Sequence, residues 1–350
     1  MRPASRLRSE GAESSPAAAP DAIGCDMTSQ TVYNVLVAGH GGAALGGVAL
    51  RGCPSRLGPL PWLAALVLAG AVPAGAATSL CANVPPLDPQ ALPCAVARHE
   101  PAPDARPDAV RVVTFNVHFG ADVPGLARAI RGNPRLNQAD ILLLQEIESH
   151  PGDDRAARLA EALSLNLVYA PARIEGDGTH GLAILSRYPM RDLEVLSLKH
   201  YDLGFRGTRR RIAMAATVEM PGRTVRVYNV HLDTRLTPEE RLLQLEPVVA
   251  EAVKQPAAIV GGDFNTINAV SSLLPLVPVP LPGFSQAAGL DAYMQSKGFA
   301  APFAGIGRTH RFPMRLDAVY ARGLKVEGEG KETSVTVSDH FPLWVDLQAN

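Results

Sequence analysis

Apolar residues along this chain fall into short unbroken runs and alternating stretches, which predict strands, and into a few sets spaced three and four apart, which predict helices. Residues 110–118 are rich in β-branched side chains and read as the first strand of the fold. Residues 139–146 contain the run Ile141-Leu142-Leu143-Leu144 and finish on Glu146, the pattern of a central strand with no polar face. Residues 181–187 and 211–220 give two more strands, and residues 223–232 alternate through Val225, Val227, Asn229 and His231. Residues 257–260 form a fully apolar run that stops at Gly261-Gly262. Residues 316–320 and 335–347 complete the set, the last with Ser338-Asp339-His340 inside it. Helices are expected at 125–131, 153–163, 237–253 and 290–297. The third has the clearest start: Thr237 as cap, Pro238 at the first position, and Glu239 and Glu240 at the positive end. Strands outnumber helices and several are apolar on both faces. Two sheets packed face to face, with helices outside, cover them most simply.

Ahead of these elements the pattern changes. Arg51 and Arg56 precede an apolar run from Leu60 to Gly70, and Ala74-Gly75-Ala76 follows. This is the order of a basic segment, a hydrophobic segment and a cleavage site in an export signal. The run is short and broken by Pro61, Gly70 and Pro73, which argues against a membrane span. Residues 1–76 are thus expected to be a leader. Residues 77–109 are expected to be a Pro-rich linker, in which Cys81 and Cys94 could close a small disulfide loop. The body of the fold is then 110–350, expected to be exported to the periplasm or the medium.

The chain has 350 residues, 47% of them hydrophobic and 19% charged, enough for a large core. Removing residues 1–76 takes away 5 of 33 basic and 4 of 34 acidic residues and leaves 28 against 30. A body at −2 has no general attraction for polyanions, so contact with a phosphate would depend on local arginines and a metal. No feature calls for an obligate protein partner, and a monomer is expected.

The chemistry gathers at strand ends. Asn116, Glu146, His231, Asp263 with Asn265, Asp317, and Asp339 with His340 all stand at or near them. Each has a structural explanation taken singly: Glu146 as a surface cap, His231 as a satisfied core histidine, Asp263 and Asn265 as an Asx-type turn. A packed core gains nothing from collecting carboxylates, amides and histidines at the tips of its strands, so the set points to a site.

The segments Thr114-Phe115-Asn116-Val117, Leu144-Gln145-Glu146, Ile184-Leu185-Ser186-Arg187, Asn229-Val230-His231-Leu232, Gly261-Gly262-Asp263-Phe264-Asn265, Leu316-Asp317-Ala318-Val319 and Ser338-Asp339-His340 resemble, in order, the motifs of the endonuclease/exonuclease/phosphatase superfamily. The resemblance implies a deoxyribonuclease I-like α/β/β/α sandwich of four layers and hydrolysis of a phosphate ester dependent on Mg²⁺, with Mn²⁺ as an alternative. It further implies Glu146, Asn116 and Asp339 around the metal, and Asp263 as acceptor of the attacking water's proton with Asn265 orienting water or phosphate. His231 and His340 would donate to phosphoryl oxygens, and Asp317 would orient a histidine. Arg211 and His180 are further candidates for phosphate contact, Arg187 either contacts phosphate or pins its strand, and His118 and His310 read as bystanders.

The substrate is less legible. The cluster from Arg206 to Arg211 is the one dense basic patch of the body, and residues 273–282 form an apolar loop that would suit a lipid. Nucleic acid is placed ahead of phospholipid as the phosphodiester, and a non-catalytic binding protein on the same fold is a remote alternative.

Overall fold

The computed structural model describes residues 95–97, 109–201, 210–267 and 285–349, all within the second of the two units into which the chain divides, Ala69–Asn350. The leader, the Cys81–Cys94 pairing, Arg206 and Arg209, and the apolar loop 273–282 lie outside the described residues.

Two sheets carry the fold. One contains β1 (Ala95–Ala97), β2 (Ala109–Phe119), β3 (Ile141–His150), β4 (Asp153–Asp154), β5 (Asn166–Glu175), β6 (Gly178–Ser186), β12 (Leu324–Lys331) and β13 (Leu343–Ala349). Their order is β1-β5-β6-β3-β2-β13-β12, with β4 beside β3. The other contains β7 (Met190–Ser197), β8 (Ile212–Met220), β9 (Arg223–His231), β10 (Ala258–Asp263) and β11 (Asp317–Arg322), in the order β11-β10-β9-β8-β7. Both sheets are mixed: β2 runs parallel to β3 and β9 to β10, and their other neighbours are antiparallel.

The unbroken apolar runs resolve into two faces. Val110 and Val112 of β2, Ile141 and Leu143 of β3, Val225 and Val227 of β9, and Ile259 of β10 meet between the sheets. The intervening Val113, Phe115, Leu142 and Leu144 point outward under α1 (Val123–Gly132) and α2 (Arg155–Leu163). On the far side, Tyr228, Val230 and Val260 pack under α3 (Pro238–Ala252) and α4 (Gln286–Ser296). Both faces of the central strands are therefore buried, which is why β3 and β10 read as unbroken apolar runs. Helix, sheet, sheet and helix give four layers, as expected.

Details differ from the sequence expectation at identifiable places. β3 does not stop at Glu146 but continues to His150, with its register on both neighbours shifting around Glu146. Ser338-Asp339-His340 lies in a loop rather than in a strand, because β13 begins only at Leu343, after Pro342, which has no N–H to donate. Asp154 caps α2 through the Ala157 N–H at 3.0 Å, so that helix begins at Arg155, and Ser285 caps α4 four residues earlier than expected. The Thr237–Glu240 capping box of α3 is present in full. β5, β7 and β12 were absent from the expected set. β12 alternates charged residues and glycines at an exposed edge, and β5 carries Pro171 at a shift in register. β1 adds an edge strand inside the stretch expected to be linker.

Candidate active site

Strand register assembles the site. Across the second sheet His231, Asp263 and Asp317 occupy one row on three neighbouring strands, since Asp263 pairs with His231 on one side and with Asp317 on the other. The two preceding glycines make this row possible. A Cβ on Gly262 would stand 2.0 Å from the Val230 carbonyl oxygen, and its φ of +146° excludes other residues. A Cβ on Gly261 would meet Leu143 at 2.6 Å, so its absence lets β10 approach the first sheet closely. From that first sheet Asn116 donates to Asp263 Oδ2 at 3.0 Å. Glu146, at φ +58°, is turned out of the β3 ladder by the bulge.

Beneath the site a buried amide pair ties the sheets together. Gln145 Nε2 donates to Asn229 Oδ1 at 2.7 Å, and Asn229 Nδ2 donates to the Leu144 and Ala183 carbonyls, each at 2.9 Å. Gln145 precedes Glu146, and Asn229 lies two positions before His231. The pair therefore fixes the strands that carry both site residues.

Asp263 and His340 are buried and oppositely perturbed. Burial and the neighbouring Asp317 carboxylate push the Asp263 carboxyl up to about 7, against His340, Asn116 and the Asn265 N–H, which favour its charged form. For His340 burial opposes the charge. The Asp317 carboxylate at 2.9 Å from Nδ1, assisted by Asp263 and Asp339, outweighs it and raises the imidazole to about 10. Thr309 Oγ1 donates to the same Asp317 oxygen at 2.7 Å, while Asp317 Oδ1 is buried with no hydrogen-bond partner among the described residues. His340 Nε2 looks back at Asp263 Oδ2 from 3.9 Å, and His231 Nε2 views the same oxygen from 3.7 Å. His231 differs in its charge state: burial, then Arg211, His180 and His340, hold it well below the ordinary histidine value. The site thus joins a carboxylate that can change its proton near neutrality to a histidinium held by its own carboxylate.

Asn265 takes a left-handed conformation (φ +51°), with its N–H on Asp263 Oδ1 at 2.9 Å and its Nδ2 on the Leu232 carbonyl at 2.8 Å. The Asx turn is real, and it leaves Asp263 Oδ2 turned toward the histidines. Asn265 therefore secures Asp263 and the end of β9.

Three clusters bring carboxylate and imidazole atoms within 4.8 Å of one another: Glu146 with His180 and His231, His310 with Asp339 and His340, and Asp263 with Asp317 and His340. Glu146, one-fifth exposed and turned outward by strained backbone, suits a cation ligand. Asp339 is grouped with His310 and His340 rather than with Glu146, and it differs in this from the expected ligand set. Its carboxylate is held well below the ordinary range, first by His310, whose Nε2 lies 3.3 Å away. Asn116 uses Nδ2 on Asp263 and receives the His118 N–H on Oδ1 at 3.1 Å, so both ends of its amide are engaged.

The basic candidates separate. Arg187 lies at the far end of β6 from His180, and its guanidinium donates to the Ala139 and Asn137 carbonyls at 2.9 and 2.8 Å. Of the two roles open to Arg187 in the sequence, these contacts are those of a strand-pinning residue rather than of a phosphate ligand. Arg211 is buried beside the site. Burial draws its guanidinium down to about 10, partly offset by Asp233, Asp263 and Glu146, and its Nε has no hydrogen-bond partner among the described residues. His180 is buried on β6, its Nδ1 3.9 Å from Glu148 and its ring 6.4 Å from that of His231. Sequence reasoning passed over Thr309, His310 and Ser338 as working parts. Ser338 Oγ donates to the Asn116 carbonyl at 2.7 Å, and His310 holds Asp339. Their proximity to Asp317 and Asp339 arises from a loop fold that no strand pattern announces.

The family model for the endonuclease/exonuclease/phosphatase family matches residues 113–340, well over half the chain and all of the site. The chain belongs to that family. Members of the endonuclease/exonuclease/phosphatase family are phosphoric ester hydrolases, and the chain is an enzyme of that class. A relative in Escherichia coli K12, the uncharacterized protein YbhP, is 26% identical over 259 residues, covering 68% of this chain and 95% of its own. Among solved structures, an endonuclease/exonuclease/phosphatase from Beutenbergia cavernae superposes with a TM-score of 0.57 at 22% identity, covering 69% of this chain and 72% of that one. The human Nocturnin catalytic domain, solved with a bound sulfate anion, gives 0.52 at 18% identity, with 71% and 96% covered. These likenesses show the shared fold.

Proposed function

We propose that the protein is an exported, divalent-metal-dependent phosphodiesterase that cleaves its ester by in-line attack of water. The observation that carries this reading is the row His231–Asp263–Asp317 with His340 above it. A proton acceptor near neutrality and a proton donor that stays charged lie on opposite sides of one small space. Asp263 Oδ2 takes the proton of the attacking water. Asn265 and Asn116 fix that carboxylate, and His340, kept charged by Asp317, donates to a phosphoryl or leaving oxygen. Arg211 supplies a buried positive charge for the phosphate, where low polarity makes it count most. Glu146 would hold the divalent cation, while Asp339, held by His310, stands with His340 instead. When bound, such an ion neutralises phosphate charge and favours attack. Mg²⁺ is the expected ion.

Nucleic acid is favoured over phospholipid as substrate, because Arg211, the last residue of the basic patch, lies buried just before β8 and beside the site. The signal-like order of residues 51–76 supports export. As a test, the full chain is incubated with Mg²⁺ and plasmid DNA, RNA, sphingomyelin or a chromogenic phosphodiester. EDTA-sensitive turnover with DNA or RNA fastest is expected; turnover of sphingomyelin alone would transfer the reading to lipid, and none on any substrate would refute it.

A further inference from the structure

Exposed aromatic rings flank the candidate site on both sides. Phe119, at the end of β2, and Phe312, in the loop before β11, are 37% and 62% exposed, and every other phenylalanine among the described residues is buried. Each rests on histidines that lead into the site. The Phe119 ring stands edge-on to His180 at 5.9 Å, and the His180 ring lies 6.4 Å from that of His231. The Phe312 ring stacks on His310 at 5.4 Å with 16° between the planes, and His310 meets His340 edge-on at 4.6 Å. His231 and His340 in turn face the same Asp263 oxygen, from 3.7 and 3.9 Å. Two lines of rings thus run outward from the reacting carboxylate, one on each side, and each ends in a phenylalanine open to solvent.

Local structure keeps Phe119 outward. His118 and Phe119 both take a left-handed backbone, at φ +46° and +71°, which is rare for side chains of this bulk. Asn116 Oδ1 accepts from the His118 N–H at 3.1 Å, and Arg155 donates to the Phe119 carbonyl at 2.9 Å. Strained backbone of this kind persists where its surroundings enforce it, and it gathers at functional sites. The Phe312 N–H donates to His310 Nδ1 at 3.0 Å, which ties its backbone to the ring it covers. An exposed aromatic face beside a phosphate site suits the flat face of a nucleobase. Bases in a duplex are already paired and stacked, and gripping a duplex takes several phosphate contacts, which a chain with a net charge of −1 does not favour. A lipid surface calls for apolar groups joined in one patch, whereas the polar site separates these two. We propose that Phe119 and Phe312 bracket the scissile phosphate of a single-stranded nucleic acid by stacking on the unpaired bases to either side of it. The proposal rests on the phosphodiesterase reading for the phosphate itself, and oligonucleotide binding tests it without turnover.

The test uses the full chain carrying Asp263→Asn, so that nothing is cleaved, with Mg²⁺ present. Fluorescence anisotropy follows a short labelled oligothymidylate, a duplex of the same length, and an abasic chain with the same phosphates. The single strand should bind at least ~10-fold more tightly than either of the others. Phe119→Leu and Phe312→Leu should each weaken it at least ~5-fold and leave the abasic chain within about twofold, while Phe119→Trp and Phe312→Trp keep the single strand bound. Leucine retains apolar character without the ring, and circular dichroism with melting reports folding. Duplex or abasic binding as tight as that of the single strand, no binding of the single strand, or unchanged binding in either leucine variant would overturn the proposal. So would sphingomyelin vesicles that bind the parent chain and are lost in the leucine variants while the oligonucleotide stays bound, since the rings would then face lipid. A chain that binds the single strand as described, but whose form with Asp263 intact hydrolyses none, supports the bracket and defeats only the phosphodiesterase reading.

Discussion

Asp317→Asn removes one charge from the site while keeping the shape of the side chain. In the native protein Asp317 Oδ2 accepts from His340 Nδ1 at 2.9 Å and is the main influence raising that imidazole to about 10. Without the carboxylate, burial is opposed only by Asp263 and Asp339, and the value falls. At pH 9 the wild-type His340 is then about nine-tenths protonated, while the variant holds the proton in a smaller fraction of molecules. General acid catalysis contributes about 10²–10⁴-fold, so kcat/KM at pH 9 should fall by at least ~10²-fold. The assay is hydrolysis of a chromogenic phosphodiester with a divalent cation from pH 5 to 10.5. The wild-type profile should rise through the Asp263 value near 7 and fall near 10. The variant's alkaline limb should move to lower pH, and its acidic limb should also move down, because Asp317 helps to raise both groups. Stability gives a second reading. A histidine raised in the folded state stabilises fully below its unfolded value of about 6.5 and loses that contribution as pH climbs to about 10, at most about 5 kcal/mol here. Asp263, raised from 3.8 to about 7, has by then finished its own loss. Wild-type Tm should therefore drop between pH 7 and 10, and the Asp317→Asn curve should be flatter. An alkaline limb that stays near pH 10 in the variant would refute the assignment of His340 as proton donor.

Other perturbations separate positioning from chemistry. Gly262→Ala sets a Cβ 2.0 Å from the Val230 oxygen at a φ of +146°, and urea unfolding should show a loss of at least ~2–3 kcal/mol. Gln145→Leu strands the Asn229 Oδ1 acceptor between the sheets, so chemical denaturation should report about 1–3 kcal/mol lost. Arg211→Gln should raise KM for a phosphodiester at least ~10-fold with little change in Tm, whereas Arg187→Gln should lower Tm and leave KM within about twofold. An inverted pattern would exchange the roles given to the two arginines.

Much of the fold was legible because burial on both faces leaves long apolar runs, as in Ile141 to Leu144 and Ala257 to Val260. The strands it hid lie at edges, where β7 and β12 mix charge with apolar residues, or carry a proline, as β5 does. Site residues on strand tips were visible as polar interruptions, and the register of β9, β10 and β11 accounts for their meeting. Partners brought in by loops were not. Thr309 reaches Asp317 from eight positions before it, and His310 reaches Asp339 from 29 positions before it, with no periodic pattern to mark either. Glu146 stood out as a carboxylate closing an apolar run, although β3 continues past it to His150. The bulge that turns it toward His180 and His231 has no signature in Leu144-Gln145-Glu146-Ile147. The Asx turn at Asp263 and its place in the site were set out as alternatives. The structure contains both, one carboxylate oxygen serving each.

Asp263→Asn tests the central claim most directly. The amide preserves size and can still accept the Asn265 N–H, but it cannot take a proton from water. With saturating divalent cation and a chromogenic phosphodiester, single-turnover hydrolysis at pH 8 should fall by at least ~10²-fold while the melting profile shows a folded protein. A folded Asp263→Asn variant that hydrolyses the ester within about twofold of wild type would contradict the account.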